Sequence, residues 1–72
     1  MNIEYKYISF IVKEVKPKTN VYSCINNKSG VELGIAKWMP TWRQYCYFAN
    51  PETVYSTGCL NDIIDFISNL KG

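Results

Sequence analysis

The last quarter of the sequence allows one regular structure and through it constrains the rest. Leu60, Ile63, Ile64, Phe66, Ile67 and Leu70 fall on one arc at about 100° per residue, while Asn61, Asp62, Asp65, Ser68 and Asn69 fill the opposite arc. That spacing predicts an amphipathic helix over about 57–70. Ser56 or Thr57 can cap it, with Asp62 in the first turn, where the helix dipole favours an acid. A lone helix with one apolar stripe must bury that stripe against another element.

The preceding residues supply that element as strands. Tyr5–Val15 is rich in aromatic and β-branched residues and reads as a long first strand, broken by Lys16-Pro17-Lys18 because proline cannot donate to a ladder. Thr19–Asn26 is a second strand, and Asn27-Lys28-Ser29-Gly30 has hairpin chemistry. Val31–Met39 and Trp42–Ala49 follow, turned at Pro40-Thr41, and Thr53-Val54-Tyr55 is a candidate short fifth strand. The expectation is an α+β fold in which an antiparallel sheet of four to five strands (about 3–55) carries one C-terminal helix on one face. Residues 1–72 then make a single domain.

Composition removes several function classes. Cys24, Cys46 and Cys59 are odd in number and lack C-x-x-C spacing, and histidine is absent, so neither a zinc site nor a disulfide framework is expected. Without histidine the usual general base near neutral pH is missing, and the carboxylates are scattered, so no catalytic residues, cofactor or metal are expected. Cys59 near the helix start reads first as a small packed residue. No apolar run approaches a membrane span and no signal peptide is evident. Unpaired cysteines then imply a cytoplasmic location.

The net charge of +2 divides unevenly. Residues 1–50 hold seven basic groups against three acidic ones, and residues 51–72 hold one against three. No block of like charge suggests long nucleic acid. Below about 70–80 residues a single core is marginal without a staple, so self-association is expected.

A two-residue turn at Pro40-Thr41 would set Met39 opposite Trp42, Trp38 opposite Arg43, Ala36 opposite Tyr45 and Gly34 opposite Tyr47. Alternation then gives the helix Leu33, Ile35, Met39, Trp42, Cys46 and Phe48. Trp38, Arg43, Tyr45 and Tyr47 are left on the other face, around a shallow groove over Gly34 and Ala36. The segment from Lys37 to Tyr45 combines both tryptophans with the chain's one arginine. Flat π surfaces suit stacking on bases, and a guanidinium fork suits phosphate oxygens. The candidate ligand-binding residues are therefore Arg43, Trp38 and Tyr45, with Lys37, Gln44, Tyr47 and Trp42 beside them. The alternative is that the tryptophans are core and Arg43 packs across one of them.

The string Trp42-Arg43-Gln44-Tyr45-Cys46-Tyr47-Phe48, then Pro51, Thr53-Val54-Tyr55-Ser56 and Gly58-Cys59-Leu60-Asn61-Asp62-Ile63, resembles a family of very short phage and bacterial proteins patterned W-R-Q-Y-x-F-F-P. The resemblance covers about residues 33–70, and Ala49-Asn50 interrupts the pattern before Pro51. The chain is also similar to phage anti-CBASS sponge proteins. That resemblance implies a homo-oligomer that sequesters a cyclic dinucleotide immune signal without cleaving it. A single domain of 8.4 kDa offers little concavity, so a pocket shared between subunits is expected. The alternatives from the residues are a single-stranded nucleic-acid-binding module and an inhibitor that covers a host protein.

Overall fold

The structure, a computed structural model, describes residues 2–70. Its elements are β1 (Ile3–Glu4), β2 (Ile8–Glu14), β3 (Val21–Asn26), β4 (Glu32–Met39), β5 (Gln44–Ala49) and α1 (Thr57–Ser68). Each strand pairs antiparallel with the next, so sheet order equals chain order, and the one helix lies across one face. The α+β fold expected from the sequence is the fold found.

Local chemistry sets the boundaries. The predicted first strand, Tyr5–Val15, is the shorter β2, and an additional strand, β1, precedes it, because the chain reverses between Glu4 and Ile8, where the Tyr5 N–H donates to Ile8 O at 2.8 Å. The β3–β4 turn closes as expected: Asn26 Oδ1 accepts from the Lys28 and Ser29 amides, and Gly30 takes φ +78°, which glycine adopts without strain. Thr53–Tyr55 is not a strand. The fifth strand is β1, at the opposite margin.

The β4–β5 hairpin has four loop residues, Pro40–Arg43, because the Trp42 and Arg43 amides both donate to Met39 O, at 3.1 and 2.7 Å. Trp38 therefore faces Tyr45, and Ala36 faces Tyr47. A shift of two preserves alternation, so Ile35, Cys46 and Phe48 stay on one face and Trp38, Tyr45 and Tyr47 on the other. Trp42 and Arg43 move into the loop, and an irregularity in the β3–β4 register lets Leu33 pack against the core.

The face that the helix covers is the reverse of the expected one. Ile8, Phe10, Tyr22, Cys24, Ala36 and Tyr45 meet Ile63 and Phe66 in the core, with Trp38 and Tyr47 packed at its margin. The opposite face carries Lys13, Ser23, Glu32 and Lys37; the first three are linked to one another by hydrogen bonds. An apolar helix on that side would strand those charges. The groove expected over Gly34 and Ala36 is filled: both are buried, and Tyr47 lies over Gly34.

Phe66 stacks on Phe10 with centroids 3.9 Å apart and planes 4° apart, and Tyr22 meets Phe66 edge-on at 5.2 Å. Burying each phenylalanine contributes about 1.5–3 kcal/mol. Tyr5 extends the cluster by donating to Asp65 at 2.7 Å, and burial together with that carboxylate pushes its hydroxyl up to about 12. The helix seam is rotated from the predicted stripe: Leu60 and Ile64 are exposed, and Cys59 takes a place beside the core. Ser56 caps α1 through its Oγ to the Cys59 amide. Asp62 falls in the second turn, leaving no acid in the first.

On the open face Glu32 ties three strands together. Its Oε2 accepts from Ser23 Oγ at 2.6 Å and Lys13 Nζ at 2.9 Å, and its Oε1 accepts from Asn50 Nδ2 at 3.3 Å. These donors, Ser23 foremost, hold the carboxyl down at about 2, below its ordinary 4.5. A depressed carboxylate stabilises the fold above the higher value and loses that contribution as pH falls through the lower one. Urea midpoints measured from pH 6 to pH 2 should therefore fall between about 4.5 and 2, and Glu32→Gln should flatten that part of the curve.

Gly34 is required by packing. A Cβ there would sit 2.5 Å from the Tyr47 hydroxyl and 2.6 Å from Phe48 O, the second being backbone that cannot swing away. Gly34→Ala should cost about 1–3 kcal/mol, as overpacking does, read as a lower thermal midpoint by calorimetry.

Candidate functional site

Pro40 fixes the entry to the β4–β5 loop, and Arg43 closes it in the left-handed region at φ +56°. Glycine or asparagine normally takes such a position; a long side chain there costs on the order of 1–2 kcal/mol. Arg43 has no carboxylate partner among the described residues, where the ion pairs are Lys13–Glu32 and Lys16–Glu14.

Beside Arg43 is an open cavity of about 400 Å³ between the loop and the end of α1. Trp38, Gln44 and Tyr45 line its sheet side, and Ile67, Ser68 and Leu70 its helix side. Trp38 and Tyr45 meet edge-on at 5.5 Å, which fixes both rings. Tyr45 is buried and its hydroxyl is raised by desolvation, so little of its ring is open to a ligand.

Four of the residues singled out from the sequence, Trp38, Arg43, Gln44 and Tyr45, thus surround one cavity. The other three do not. Lys37 lies on the opposite sheet face, in a hollow with Lys16 and Pro40. Trp42 projects from the loop, 64% exposed and outside the cavity. Tyr47 turns inward, donating at 2.8 Å to the Tyr55 hydroxyl, which donates at 2.7 Å to Leu33 O; burial raises its hydroxyl.

A second cavity, about 420 Å³, escaped the sequence reading. Lys6, Tyr7, Asn26, Asn27 and Lys28 line it together with Leu33, Cys59 and the exposed Val54. The Lys6 ammonium sits 5.2 Å from the Tyr7 ring centroid. The Asn27 N–H donates to Tyr7 O at 2.9 Å, the contact that joins two distant loops. Lys6-Tyr7 and Asn27-Lys28 looked like strand and turn; the β2–β3 register, which pairs Ile8 with Asn26, brings them together when continued past the strand ends.

Both cavities offer cations beside aromatic rings, which suits anions with flat ring systems. Burial raises the hydroxyls of Tyr5, Tyr45 and Tyr47 and the thiol of Cys24, and hydrogen-bond donors lower the Glu32 carboxyl. Compared with protein-family models, curated proteins and solved structures, the chain matches none.

The strain at Arg43 yields a test. Arg43→Gly should relieve the left-handed backbone and stabilise the fold by about 1 kcal/mol. That is a rise of roughly 4–8 °C in thermal midpoint for a domain of this size. A lower midpoint would show that the side chain holds the loop structurally.

Proposed function

We propose that this chain is a binding module that captures a small anionic nucleotide, a cyclic dinucleotide being the class implied by its resemblance to phage sponge proteins. The carrying observation is Arg43: a guanidinium with no carboxylate partner among the described residues, on a strained backbone, at the rim of a cavity walled by Trp38 and Tyr45. In this reading Arg43 grips phosphate through its donor fork, Gln44 adds a hydrogen bond, and the exposed part of Trp38 meets a base. About 400 Å³ is near the lower end of ligand pockets, so one cavity takes one nucleotide unit of the ligand. The ligand is held and not cleaved, and the module acts in immune evasion by lowering the free concentration of the signal.

A charge-assisted hydrogen bond is worth about 1.5–3 kcal/mol, so Arg43→Ala should weaken cyclic-dinucleotide binding roughly 10- to 150-fold by calorimetry. Lys37→Ala, on the other sheet face, should leave it unchanged. Ligand recovered after denaturation should be chemically intact. A loss in Lys6→Ala/Lys28→Ala with none in Arg43→Ala would move the ligand to the second cavity. Tighter binding of oligo-dT than of any dinucleotide would favour a single-stranded nucleic-acid module.

A further inference from the structure

The margin of the sheet at β5 is bare. The Asn50 N–H donates to Leu33 O, and the Cα pairs Ile35/Phe48, Lys37/Cys46 and Met39/Gln44 continue that register. Antiparallel alternation therefore turns the backbone groups of Gln44, Cys46 and Phe48 toward β4 and those of Tyr45, Tyr47 and Ala49 outward. The outward N–H and C=O groups have no partner among the described residues. Gln44–Ala49 contains no charge, no proline and no bulge, the features that usually protect an edge strand.

We propose that this edge is where a second copy of the chain pairs, antiparallel and about a two-fold axis at Tyr47, joining two sheets into one. In that register Tyr47 lies opposite Tyr47, and Tyr45 opposite Ala49 of the second copy. All three outward N–H groups of each copy then find a carbonyl. Sliding by two residues would bring in Arg43, whose left-handed backbone is not extended. On the open face Cys46 of one copy meets Phe48 of the other, covering a ring that is 36% exposed. The remaining margin, β1, has only two residues, one of them Glu4, so it is a poor template for further copies. Pairing through β5 uses the same patch twice and closes as a dimer. The two Arg43 cavities lie at opposite ends of the joined edge, one per copy, in place of the pocket shared between subunits that the small size of the domain led us to expect. The interface needs no ligand.

Amide hydrogen exchange and light scattering on the ligand-free protein test this together. At high concentration the mass should be twice 8.4 kDa. The amides of Tyr45, Tyr47 and Ala49 should be protected along with those of β3 and β4, and dilution should release these three alone. Phe48→Lys should weaken association tenfold or more. A mass of 8.4 kDa at all concentrations overturns the proposal, as does a dimer in which those three amides still exchange fast. Protection appearing only on addition of another protein also overturns it. Nucleotide binding is measured separately, so its failure leaves this result standing.

Discussion

The stacked contact between Phe10 and Phe66 decides the rest of this structure. It joins the second strand to α1, both rings are almost wholly buried, and it fixes which sheet face is covered. Once that face is taken, Tyr22, Cys24, Ala36 and Tyr45 belong to the core and Lys13, Glu32 and Lys37 to water. The candidate cavity follows from the same contact, because the end of the docked helix forms one of its walls.

The inner face works by matching small residues to large ones. Cys24 lies opposite Gly34, and Tyr22 and Tyr47 both lie opposite Ala36. Tyr47 then has room to lie over Gly34 and reach Tyr55, which in turn reaches the backbone of Leu33. This chain of hydroxyls anchors the connection from β5 to α1 without a further strand. The open face holds together differently, through one carboxylate with three donors on separate stretches of chain. One sheet is thus stabilised by dispersion on one side and by charge-assisted hydrogen bonds on the other.

Element type was legible in the sequence because each segment had a single period: 3.6 for residues 57–70, alternation for Val31–Met39, and turn residues at Asn27–Gly30. What misled was the choice of face. The β4–β5 segment has apolar residues on both sides, and the charges that break the tie are few: Glu32 and Lys37 on β4 itself and Lys13 on β2. Hairpin length failed for a local reason: Pro40-Thr41 suits a tight turn, and nothing marks Arg43 as left-handed. The candidate site was partly legible, since Trp38, Arg43, Gln44 and Tyr45 do converge. Lys6 and Lys28 were not, because each lies just past a strand end and only the β2–β3 register that pairs Ile8 with Asn26 sets them opposite one another.

The meander has a consequence for how the chain folds. Strands that pair in chain order need only local closures, and such sheets can form hairpin by hairpin. The helix contacts are the exception: Tyr5 meets Asp65 across 60 positions, and Phe10 meets Phe66 across almost as many. During synthesis, β1 to β5 can therefore assemble while Phe10, Tyr22 and Tyr45 still lack their cover. The nascent sheet presents its stickiest surface until Phe66 emerges, and a chain stalled before that point is the species most exposed to aggregation and to chaperones.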